Sequence, residues 1–215
     1  MSVYLRPKVT GATAFFTVTL AERGSGLLVD HVDLLRAAVW RTLLERPARI
    51  DAWVVLPDHI HAIWTLPAED RDHGRRWGAI KARFTMALKV RCDAAADDRR
   101  VGRAVGRASA RLTPPPIFPT DLPVVRSGRY AGLKPGLRTE KREAAVWQRR
   151  FWEHHIRGPE DYEAHVRYCL MNPVKHGLVE RPEDWLFSSI HRDIREGRWA
   201  AADRDAARAL APERA

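Results

Sequence analysis

Cysteine is almost missing from this chain of 215 residues: Cys92 and Cys169 are the whole complement, far apart and without the spacing of a zinc knuckle. That excludes a disulfide framework and a cysteine-based metal site, and both thiols are expected to be free. No run of about 18 apolar residues is present to span a bilayer, and the N-terminal stretch lacks the apolar core of a signal peptide. The chain is therefore expected in the cytoplasm, without a membrane partner. Acidic residues are in deficit, 27 Asp and Glu against 37 Lys and Arg, which gives a formal net charge of +10 and a pI near 10.3. Such an excess implies a polyanionic partner, nucleic acid first. Hydrophobic content, at 45%, is that of a globular protein, and the length suffices for one core or for a core with a large insertion.

The stretch around which the chain is organised is Leu56-Pro57-Asp58-His59-Ile60-His61-Ala62-Ile63-Trp64. Side chains alternate across a strand, so His59 and His61 share one face while Ile60 and Ala62 enter the other. Two imidazoles on one face are a natural start to a divalent-metal site. Pairs at this spacing are common, however, and the triplet alone does not separate a metal site from two histidines on a half-exposed strand.

In chain order, Ala14 to Leu20 is rich in β-branched and aromatic residues and is predicted as the first strand, broken by Gly24 and Gly26. Asp30 is placed as N-cap of a helix in which Val32, Leu35, Val39 and Leu43 recur at helical spacing, ending near Pro47. Ile50 to Leu56 reads as a second strand, Pro57-Asp58 as a tight connection, and His59 to Leu66 as a third strand. A helix over roughly 75–90 aligns Trp77, Ile80, Phe84 and Leu88 in an apolar stripe. It leaves Arg76, Lys81, Arg83 and Lys89 on other faces, a basic surface that is either solvated or set against phosphate.

Residues 91–145 show no sustained period and many breakers, among them Pro114-Pro115-Pro116, and read as an insertion, partly disordered. Residues 91–146 hold 12 Lys and Arg against 6 Asp and Glu, so more than half of the charge excess sits there. This suits either a flexible arm closing over a nucleic-acid backbone or a plain spacer. Val146 to Ile156, dense in aromatics, is predicted as a strand. Pro159, preceded by Gly158 and followed by Glu160 and Asp161, starts a helix expected to run to about Met171 and to be stopped by Pro173. On it Tyr168 and Asn172, four apart, stand on one side, whereas Tyr162 lies on a different face from Asn172. Asp184 to Arg192 reads as an ordered C-terminal cap, and 200–215 as a charged, alanine-rich tail.

Strand, helix, strand, strand, helix, strand, helix is the order of an α+β fold of the ferredoxin-like or RRM-like kind, an antiparallel sheet with helices on one face. Its core comprises 1–90 and 146–199, and the C-terminal helix carries the tyrosine. The resemblance is then specific. His59-Ile60-His61 after Leu56-Pro57-Asp58 resembles the His-hydrophobic-His signature of the HUH single-tyrosine transposases. Three further stretches resemble one branch, the REP-associated tyrosine transposases: Trp147-Gln148-Arg149-Arg150-Phe151-Trp152-Glu153-His154, Tyr168-Cys169-Leu170-Met171-Asn172-Pro173-Val174-Lys175-His176-Gly177-Leu178-Val179, and Asp184-Trp185-x-x-Ser188-Ser189.

The resemblance implies that His59, His61 and Asn172 are metal ligands for Mg²⁺ or Mn²⁺ and that Tyr168 is the nucleophile. It further implies single-stranded or hairpin DNA as partner, cleavage and strand transfer through a 5′-phosphotyrosine, no organic cofactor, and a monomer or homodimer. Other histidines, His154, His155, His165, His176 and His191, read as structural or phosphate-contacting. Two alternatives stay open: a hairpin-binding protein of transposase ancestry that no longer cuts, and a replication-initiator relative. Against the second, no helicase part is visible.

Overall fold

Four runs of β-branched and aromatic residues form one antiparallel sheet in the computed structural model of the chain, which describes residues 9–101 and 146–199. They are β1 (Thr13–Thr19), β2 (Arg49–Val55), β3 (His59–Thr65) and β4 (Trp152–His155), in the order β2-β3-β1-β4. Helices α1 (Leu27–Asp30) and α2 (Val32–Glu45) join β1 to β2, and α3 (His73–Val101) follows β3. After β4 come α4 (Pro159–Lys175), a 3-10 turn (Pro182–Asp184) and α5 (Ile190–Arg195). This is the expected α+β class, with a βαββαβ core and α4 added. No helix among the described residues is long and apolar enough to cross a membrane. The predicted insertion beyond Val101 and the tail 200–215 lie outside the described residues.

Register assigns the two faces. Phe16 pairs with Ala62 and Ala62 with Trp53, so these share one face. There Trp64 and Trp77 stack at 4.4 Å and Trp53 and Trp77 at 5.7 Å, with Phe16 at 5.7 Å from Trp77, joining α3 to the sheet. The helix layer expected on one face is thus α2 and α3. The other face bears Phe15, Thr17, His59 and His61, and it is α4 that lies across it. All of β3 from His59 to Trp64 is consequently buried.

The free edge of β2 is closed by the segment after the 3-10 turn. Trp185 Nε1 donates to Val55 O (2.9 Å), Ser189 N to Trp53 O (2.7 Å), and Trp53 N to Ser189 Oγ (3.0 Å). An open strand edge is a template for pairing with other chains, and these bonds remove it. The Asp184 to Ser189 motif is therefore an edge cover.

Several boundaries differ from expectation. The N-cap of α2 is His31, because Asp30 ends the short α1. Helix α3 continues past Val90 to Val101, into the predicted insertion, where Ala94-Ala95-Ala96 favour it. The strand expected over 146–156 is confined to Trp152–His155. Trp147 is anchored beneath Phe84 (5.4 Å), and Lys81 Nζ draws the Gln148 carbonyl away at 3.0 Å. The basic face of α3 is largely spent internally. Arg76, 1% exposed, donates to Arg46 O, Pro47 O, Asp72 O and Asp70 Oδ2, and Arg83 binds Thr42 and Glu45.

His73, at the start of α3, is buried against Phe16 (4.8 Å), and among the described residues neither ring nitrogen has a hydrogen-bond partner. Burial, then the nearby His155 and Arg76, push its pKa down from 6.5 to about 4. In that window the unfolded chain binds the additional proton, so stability falls as pH drops from 6.5 towards 4. His73→Leu is expected to raise the urea midpoint, and to raise it more at pH 5 than at pH 7.5. Equal shifts at both pH values would show that His73 does not titrate on unfolding.

Candidate active site

His59 and His61 do share one face, their ring centroids 4.9 Å apart. His59 Nδ1 donates to Asp58 Oδ1 at 2.6 Å. Burial would raise the Asp58 carboxyl, but hydrogen bonds from His59 and Gly24 N and the charges of His59 and Arg23 outweigh it and hold the pKa at about 2. An ionised carboxylate only accepts, so a hydrogen of His59 is on Nδ1, and in the neutral ring it is Nε2 that keeps its lone pair for a ligand. His61 Nδ1 lies 3.0 Å from Thr17 Oγ1, which can accept its hydrogen. Burial and the neighbouring His59 push the His61 pKa down to about 3, against the opposing effect of the Asn172 side chain. That ring is neutral near pH 7.

Helix α4 brings the remaining residues over this face. Tyr168 lies with its ring 5.3 Å from His61 and 5.7 Å from Phe15, and is 42% exposed. The next residue, Cys169, is buried and donates from Sγ to the His61 carbonyl at 3.5 Å, which fixes the rotation of α4 against β3; burial pushes this thiol up. Asn172 Nδ2 donates to Tyr168 O (3.1 Å), the one-turn relation expected from the spacing. At this site two buried polar atoms, His61 Nε2 and Asn172 Oδ1, have no hydrogen-bond partner among the described residues. Buried polar atoms are rarely orphaned, and a nitrogen and an oxygen beside a free His59 Nε2 form a donor set suited to a divalent cation. The residues fit such an ion.

The Pro173 stop is corrected. A proline in a helix removes one hydrogen bond, but α4 runs on to Lys175. It closes there with Gly177 N donating to Val174 O and Leu178 N to Pro173 O, both 2.9 Å, with Gly177 at φ +66°. The added turn places Lys175 Nζ 5.1 Å from the Tyr168 ring centroid and the His176 ring 5.1 Å from His59. Tyr162 faces elsewhere. It lines a cavity of about 350 Å³ with Asp51, Arg167 and Asp193, and burial, then Asp51, raises its pKa.

Two of the histidines read as structural or phosphate-contacting, His154 and His165, form a second group of donors with Asp161, a grouping absent from the sequence reading. His154 Nε2 and His165 Nδ1 each lie 2.9 Å from an Asp161 carboxylate oxygen, and one donor atom from each of the three residues falls within 4.8 Å of the others. A histidine one turn after an aspartate on a predicted helix, Asp161 and His165, was the available signal. The trio ties β4 to α4.

No protein-family model matches the chain. A search of curated proteins finds a REP-associated tyrosine transposase of Escherichia coli (strain K12), 38% identical over 197 residues, covering 92% of this chain and 87% of that protein. The chain belongs to the REP-associated tyrosine transposase family. A protein of Haemophilus influenzae named as a putative REP-associated tyrosine transposase is 33% identical over 195 residues, covering 91% of this chain and 89% of that protein. A solved structure of a REP-associated tyrosine transposase bound to a REP hairpin superposes with a TM-score of 0.67 at 36% identity, covering 93% of this chain and 89% of that one. Of the four tyrosines in this chain, Tyr4 and Tyr130 lie outside the described residues, Tyr162 lines the cavity with Asp51 and Asp193, and Tyr168 stands beside the paired histidines.

Proposed function

We propose that this transposase cleaves and rejoins single-stranded, REP-like hairpin DNA, with Tyr168 as nucleophile and His59, His61 and Asn172 as ligands of Mg²⁺ or Mn²⁺. The supporting observation is the meeting of an exposed tyrosine with two orphaned buried donors, His61 Nε2 and Asn172 Oδ1, on one face. A bound divalent ion would supply Lewis-acid stabilisation of charge on the phosphate.

The protein's own residues do the rest. A phenol, with a pKa near 10 in water, is mostly protonated at neutral pH, so its attack depends on positioning and on loss of the proton to solvent. Tyr168 Oη forms a bond to phosphorus as the bond from phosphorus to the 3′ oxygen breaks. The products are a 5′-phosphotyrosine and a 3′-hydroxyl that takes up a proton. Because the ester is retained, a DNA 3′-hydroxyl can attack it and release Tyr168, rejoining strands without ATP. The Lys175 ammonium over the Tyr168 ring favours negative charge arriving there.

A hairpin-binding protein that does not cut is the second reading, separated by covalent capture. A labelled single-stranded hairpin incubated with Mn²⁺ or Mg²⁺ is expected to give a denaturant-resistant adduct that chelator prevents. Absence of adduct with retained binding would establish the binder, and equal cleavage of perfectly paired duplex would overturn the single-strand specificity.

A further inference from the structure

Among the described residues only two aromatic side chains are exposed, Trp152 at 55% and Tyr168 at 42%, and they belong to one patch. Each ring lies 5.7 Å from the ring of Phe15, on the histidine face of the sheet. Register explains why. Trp152 pairs with Thr17 and Thr17 with His61, so the three form one cross-strand row on one face. Two strand spacings, roughly 10 Å, separate Trp152 from His61. The indole is also held in orientation, its plane within 9° of the His154 ring, and His154 is fixed by Asp161.

Nothing in the packing requires tryptophan at this position. β4 is the edge strand of the sheet, and an exposed edge position is better filled by a polar or charged residue, which keeps water and discourages pairing with other chains. A large flat ring facing solvent, orientationally fixed and one ring away from the tyrosine, is what an unpaired base stacks on. The charge around it is suited to DNA: Lys175 sits over Tyr168, and Arg149 and Arg150 are exposed just before β4.

We propose that Trp152 is a stacking subsite for the unpaired nucleobase that flanks the phosphate presented to Tyr168. The subsite rests on the single-stranded DNA reading above, and it would discriminate hairpins that carry a single-stranded extension from hairpins that end flush. Stacking tolerates any base, so the subsite selects unpaired structure while sequence is read elsewhere.

The test uses the full chain with two DNAs, a hairpin bearing a short single-stranded extension with 2-aminopurine at the flanking position, and the same hairpin ending flush. Wild type is expected to quench 2-aminopurine on binding. Trp152→Leu should lose the quenching and bind the extended hairpin roughly 5- to 150-fold more weakly, the range for one base-aromatic stack, with no change for the flush hairpin. Trp152→Tyr should recover most of both signals. If wild type binds both DNAs and Trp152→Leu weakens neither or both equally, the subsite is wrong and the DNA reading stands. If wild type binds neither, the DNA reading falls and the subsite with it.

Discussion

Tyr168→Phe is expected to abolish the covalent DNA adduct while hairpin affinity and thermal unfolding stay at wild-type values. The substitution deletes one oxygen from a side chain that is 42% exposed. It keeps the ring contacts with Phe15, His61 and Lys175, and with them the packing of α4 on the sheet. Helix propensity is nearly unchanged. Loss of cleavage with binding retained is therefore assignable to the hydroxyl. Tyr162→Phe is the control, since that phenol lines the cavity bounded by Asp51 and Asp193, and its adduct yield should match wild type. The readout is the shifted band after denaturing electrophoresis. Adduct from Tyr168→Phe together with none from Tyr162→Phe would remove Tyr168, and its pairing with Asn172, from the mechanism.

Much of this arrangement is written locally. The alternation around His59 and His61 determines that both rings share a face whatever covers them, and the four-residue spacing of Tyr168 and Asn172 determines that they stand one above the other. Neither pattern contains the contact between the two pairs. That comes from Cys169 seated on the His61 carbonyl, a long-range packing detail in which one small thiol sets the rotation of a helix.

The misses share a cause, competition between a local signal and a tertiary contact. Pro173 is a local stop signal, yet the last turn is stabilised by the Gly177 closure and by burial of Leu170 and Pro173, so Lys175 and His176 come within reach of the site. Desolvation, then the neighbouring His59, lowers the His176 pKa, in keeping with a ring 5.1 Å from that of His59. Asp58 read as a turn residue, and its place immediately before His59 was the only sign that it fixes that ring. Arg76 read as a surface cation because helical spacing distinguishes apolar from polar positions, not a solvated guanidinium from one saturated by four acceptors. Trp152 is one aromatic among several in the sequence, and only the register of β4 against β1 shows that it lies on the sheet face that bears the paired histidines.

His61→Ala and His59→Ala are each expected to bring metal-dependent adduct formation below detection, and Asp58→Asn to lower metal affinity by about 10- to 100-fold, the usual cost of losing the group that orients a ligating histidine. The grounds differ for each. Removal of His61 deletes the orphaned Nε2, and because that ring is held near a pKa of about 3, its lone pair is available across the neutral range and loading is not limited by its protonation. Asp58→Asn leaves His59 in place but removes the anion that fixes its hydrogen on Nδ1, so part of the population presents the wrong nitrogen. Mn²⁺ titration of the protein–hairpin complex, followed by electron paramagnetic resonance, measures the affinity apart from cleavage, and circular dichroism checks the fold. The rival donors supply the decisive comparison: His154, Asp161 and His165 also lie within ligand range of one another. If His154→Ala and His165→Ala remove Mn²⁺ binding while His59→Ala and His61→Ala retain it, the ion sits between β4 and α4, and the paired histidines act on the phosphate without it.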